Sequence, residues 1–138
     1  MDKLEYIPGD LVKIEYGEAA GKIGFVTNAI LKRKGSYGLF VFIGKEFQGS
    51  SKDDWISTYN DEVSPIPLTT EILEKNGWKK PDGFDSYWLG KIGLLQDDEV
   101  WCSAIGTTRL AITLHDIQYV HQLQHLLFGL GINQEMEV

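Results

Sequence analysis

The feature that most constrains this chain is its punctuation. Through residues 1–66, short runs rich in β-branched and aromatic residues alternate with breaks that carry Gly or Asp: "LVKIEY", "KIGFVTNAIL", "YGLFVFI", "WISTY" and "EVSPI". Runs of this length bounded by turn formers read as strands. Five of them in so short a stretch predict a small antiparallel barrel, with "GEAAG" and "RKGS" as glycine-bearing connections. Pro65 and Pro67 then block regular structure and lead into a second part. The expected division is 1–66, a small β-barrel, and 67–138, an α+β subdomain packed against it.

In the second part Thr69 is placed to cap a helix "TEILEKN", Leu68 to staple against Leu73, and Gly77 to end it in the left-handed region. The runs "YWLG", "IGLLQ", "EVWCSAI" and "RLAITL", separated by "DDE" and "GTT", predict an antiparallel meander. Asp116 is the expected cap of a final helix from about Ile117 to Leu130, closed by Gly129 and Gly131. The fold class expected is thus mixed and mainly β.

A chain of 138 residues has room for one domain with a sizeable core or two small halves that support each other. A single cysteine, Cys102, excludes an internal disulfide framework. The longest apolar stretches fall short of the ~20 residues of a membrane span, and no secretory leader pattern opens the chain, so a cytoplasmic protein without membrane contact is expected.

Charge is unevenly spread. The formal net charge is −7, yet residues 19–45 hold Lys22, Lys32, Arg33, Lys34 and Lys45 and no acidic residue, which makes that stretch +5 and the remainder −12. A local cationic strip of this kind suits phosphate or an acidic protein despite the unfavourable total.

The stretch "PGDLVKIEYGEAAGKIGFVT" resembles the KOW motif, a strand-loop-strand unit of transcription-elongation factors and ribosomal proteins, through Gly9, Asp10, Val12, Ile14, Gly17, Gly21, Gly24 and Val26. The resemblance implies a Src-homology-3-like barrel that binds RNA or protein. It departs from the RNA-binding pattern at Ala19 and Ala20, where basic residues are frequent. The glycines have a second reading, turn chemistry alone. In the later half, "PIPLTTEILEKNGW" and "YVHQLQHLLFGLG" are similar to small proteins carried by gut-bacterial genomes, phages and mobile elements, which implies a context and no activity.

No catalytic constellation emerges. His121 and His125 have the i, i+4 spacing of a two-histidine metal site, but "HQLQH" lacks the glutamate of metalloproteases and a third ligand would have to come from His115, Asp116 or Cys102. Polar-face histidines, with no metal and no cofactor, are the expectation. Cys102 alternates onto one strand face with Val100 and Ala104 and lies near Asp97, Asp98 and Glu99, surroundings that do not activate a thiol.

The expected function is therefore a non-enzymatic binding module. In one reading nucleic acid, RNA or DNA, lies on Lys22, Lys32, Arg33, Lys34 and Lys45 with Tyr37 stacking on a base. In the other, the same hairpin docks on an acidic protein as an adaptor. A further surface is expected on the final helix. Its core stripe is Tyr119, Val120, Leu123, Leu126, Leu127 and Leu130, and its opposite face, Ile117, Gln118, His121, Gln122, His125 and Phe128, carries no formal charge. Either the barrel covers that face, or it forms a two-fold dimer in which the histidines meet their symmetry mates.

Overall fold

A computed structural model describes residues 6–33, 36–44, 54–108 and 110–138. Among them are nine strands and two α-helices. Strands β1 (Leu11–Ile14), β2 (Ile23–Arg33), β3 (Ser36–Phe42), β4 (Trp55–Tyr59) and β5 (Val63–Ser64) form one antiparallel sheet in the order β4-β3-β2-β1-β5. This sheet curls into a half-barrel. Its bending is concentrated in β2, an 11-residue strand whose pairing with β3 shifts register at Val26/Asn28 and again at Leu31/Arg33. Such irregularities add a residue to one strand and increase local twist.

Alternation decides what fills the curl. Val12, Ile14, Val26, Tyr37, Leu39, Val41 and Val63 point inward and form the first core together with Tyr6 and Ala19. A 3₁₀ turn, Asn60–Glu62, leads into β5.

The second sheet is an antiparallel meander of β6 (Tyr87–Leu89), β7 (Ile92–Asp97), β8 (Val100–Gly106) and β9 (Ala111–Ile117). Helix α1 (Thr70–Lys75) precedes it and α2 (Val120–Gly129) follows. The expected cap of α1 is present: Thr69 Oγ1 accepts the Ile72 N–H at 3.3 Å. At its other end Gly77 adopts φ +86°, its N–H donates to Glu74 O and that of Trp78 to Leu73 O. Helix α2 closes in the same way through Gly131 (φ +72°) and Ile132. Both ends are Schellman motifs, which satisfy carbonyls a helix end leaves open.

The second core gathers Ile66, Leu68, Leu73, Trp78, Ile92, Leu94, Trp101 and Ile117 with Val120, Leu123, Leu126 and Leu127 of α2. Four residues of the expected helix stripe are thus core, whereas Leu130 is exposed.

The start of α2 differs from expectation. Asp116 and Ile117 are not a cap and a first turn; they continue β9, opposite Cys102 and Trp101. Tyr119 is the N-cap, and Gln122 Oε1 accepts the N–H groups of Gln118 and Tyr119 at 2.8 and 3.0 Å. A ladder to a distant strand outweighs the local capping preference of Asp116, and Gln122 supplies the acceptor in its place.

No helix among the described residues is long and apolar enough to cross a membrane.

Candidate functional site

The segment that joins β1 to β2 is a compact turn. Ala20 N–H bonds Gly17 O, Gly21 N–H bonds Ile14 O, and Lys22 N–H bonds Ala19 O. Gly17 and Gly21 have φ of +87° and +89° with open space around them, so it is backbone conformation that asks for glycine there. Ala19 is buried in the first core and Lys22 is exposed. The turn tip is therefore anchored inward by Ala19, and Lys22 lies at the start of β2.

Lys32 and Arg33 belong to the far end of β2, where the strand leads toward β3. Lys34 and Lys45 lie outside the described residues. Tyr37 requires a correction. It is only 5% exposed, it sits inward with Leu39 and Val41, and its N–H donates to Asn60 Oδ1 at 3.0 Å. The parity of β3 turns its ring into the barrel core, so it is not a surface for base stacking.

The opposite face of the same sheet holds what the sequence reading overlooked. Outward positions run in cross-strand rows: Leu11, Phe25, Phe42 and Trp55; then Asn28, Phe40 and Ser57; then Ile30, Gly38 and Tyr59. Phe42 is buried within this face, with ring centroids 4.9 Å from Trp55 and 5.5 Å from Phe25. Around it Phe40 is 39% exposed, Trp55 38% and Tyr59 46%. Lys13 is outward on β1, opposite Ile23, and exposed. The signal was present in "YGLFVFI", where positions of both parities are apolar or aromatic, and in the Trp and Tyr that open and close "WISTY".

The charge-free face of α2 is covered from within the chain. His121 is 2% exposed, packed with its ring centroid 5.0 Å from that of Tyr6 and 6.0 Å from that of Tyr119. His125 Nε2 donates to Asp10 Oδ2 at 2.7 Å, and the same oxygen accepts the Ile7 N–H at 2.9 Å. Gln124 is buried and links both parts: its Oε1 accepts the Leu11 N–H, while its Nε2 donates to Gly9 O and Gln134 O.

Ile117 is buried as well, in β9. His121 is therefore turned onto the N-terminal segment rather than presented to a symmetry mate, and His125 is paired with Asp10 of the same chain. Phe128 alone of the four expected residues is openly exposed, at 60%. Burial pushes the His121 imidazole down to about 4; the Asp10 carboxylate works against that shift and His125 adds to it.

Cys102 sits in β8 beside Asp116 at a shallow cleft lined also by Asp97, Asp98, Glu99 and Val100. Burial pushes its thiol pKa up, and the Asp116 carboxylate adds to the effect. Such surroundings hold the protonated, unreactive form. Among the described residues no three His, Cys, Asp or Glu side chains are grouped to hold a metal ion. His115, Asp116 and Cys102 all belong to the β8–β9 ladder, apart from the His121 and His125 pair on α2. No family profile, no curated protein and no solved structure matches this chain.

Proposed function

We propose that the chain is a non-enzymatic binding module whose half-barrel engages nucleic acid through the cations of the 19–45 stretch. One observation carries this reading: the stretch of +5 without an acidic residue contains the turn before β2, β2 itself and β3, with Lys22 just ahead of β2 and Lys32 and Arg33 as its last two residues. Cations collected on one element attract a polyanion even when the net charge is −7. The antiparallel pairing of Leu11–Phe25, Val12–Gly24 and Lys13–Ile23 across a glycine-bounded turn suits the strand-loop-strand form of a KOW-like barrel. Buried Ala19 moves the contact from the turn tip to the strands.

The test is binding of single-stranded RNA and duplex DNA across a salt series, with polyglutamate as the acidic-protein probe. Lys32→Glu, Arg33→Glu and Lys34→Glu combined should abolish nucleic-acid binding, and each single reversal should lower the salt slope by about one unit. Unchanged affinity in the triple variant refutes the reading. Tighter binding to polyglutamate than to either nucleic acid replaces it with a protein adaptor.

A further inference from the structure

We propose that the outer face of the first sheet is a stacking platform for the unpaired bases of a single-stranded nucleic acid, with Phe40, Trp55 and Tyr59 as the stacking rings. The inference rests on the nucleic-acid reading and names the substrate class and the residues.

The geometry comes from the register. Phe40 faces Ser57, which places Trp55 and Tyr59 at the two diagonal positions on β4. Diagonal neighbours on one sheet face lie about 7–8 Å apart. Three partly exposed rings therefore stand in a triangle, and Phe42, packed between Phe25 and Trp55, steadies the Trp55 ring. Ser57, small, polar and exposed, lies between Trp55 and Tyr59, and exposed Asn28 flanks Phe40 on the β2 side. Every base has a π-face, so rings of this kind hold successive bases with little sequence preference. A duplex keeps its bases stacked on one another and could not use them.

Charge fixes how the strand lies. The outward positions of β2, β3 and β4 among the described residues hold no acidic side chain, and Lys13 and Lys22 are exposed at the β1 side. Asp54 precedes β4, and Asp61 and Glu62 follow it. Glu15 and Glu18 are exposed beyond the end of β1, where the Glu15 N–H donates to Glu62 O, so phosphates are kept from these acidic strand ends and held over the acid-free strands beside Lys13 and Lys22. The sugar-phosphate backbone then tracks along β1 and β2 while the bases reach across β3 and β4.

Fluorescence anisotropy with a labelled oligouridine, the matching oligothymidine and a duplex of equal length tests this. Phe40→Ala and Trp55→Ala should each weaken binding of both single strands about ten-fold with the salt slope unchanged. Trp55→Phe should restore most of the loss, and Lys22→Glu should lower the slope while the rings remain. Tyr59→Ala, at the most exposed of the three rings, provides a variant least able to disturb folding. A clear preference for one single strand over the other separates RNA from DNA without affecting the platform. Alanine variants that stay folded and bind like wild type overturn the platform, as does a duplex bound as tightly as the single strands. Those results leave the cationic reading standing, whereas a wild type that binds none of the three probes removes both.

Discussion

Two regions of this molecule depart from the ordinary distribution of residues in opposite directions. At the junction between the half-barrel and α2, polar side chains are buried: Asp10, His121 and Gln124. On the outer face of the first sheet, aromatic side chains are exposed: Phe40, Trp55 and Tyr59. Buried polar groups are tolerated where they find hydrogen-bond partners, and Gln124 and Asp10 find theirs in backbone groups more than a hundred residues away or in His125. A contiguous exposed apolar patch is a feature of surfaces that meet something else. The contrast teaches that the helix face carrying His121 and Gln124 is spent on internal cohesion, while the sheet face keeps aromatic rings exposed.

The largest expected effect breaks the junction by acid. The His121 pKa is about 4 in the folded chain against an ordinary value of 6.5. Between those values the unfolded chain binds the proton and the folded chain does not, so stability is fully present above pH 6.5 and falls as the pH drops toward 4. The linked loss is roughly 3 kcal/mol. Urea unfolding at pH 7 and pH 4.5 should show most of it, and His121→Phe should remove this part of the dependence. A wild type equally stable at both pH values would mean that the ring is hydrated.

A smaller effect separates the two regions at constant pH. Gln124→Leu leaves the Leu11 N–H and the Gly9 and Gln134 carbonyls without their partner and should cost about 2–3 kcal/mol. Tyr59→Ser on the sheet face should cost under about 1 kcal/mol in the same denaturation experiment. Equal losses would mean that the rings serve stability as much as the junction does, and the contrast would dissolve.

These differences also mark what was legible in the sequence. Local signals read correctly: the strand runs, the Thr69 cap and the Gly77 stop all depend on residues within a turn of one another. Val63 belongs to the first core and Ile66 to the second. Pairing that spans the chain was not legible. Ile117 leaves the helix because Trp101 pairs with it, and His121 is covered because Tyr6 folds back onto α2. Tyr37 and Phe40 show the same limit within one strand. Alternation puts them on opposite faces, but with apolar residues at both parities the sequence does not say which face is the core.

The account's central claim is that one face of the first sheet binds and the junction only holds. Backbone amide shifts of the isotopically labelled chain, followed as a short oligouridine is added, test it directly. Saturable perturbations should map to Lys13, Lys22, Lys32, Arg33, Phe40, Trp55, Ser57 and Tyr59, with the amides around His121, Gln124 and the β8–β9 ladder unmoved. Perturbations confined to α2 or the second sheet, or none at any concentration at low salt, would contradict it.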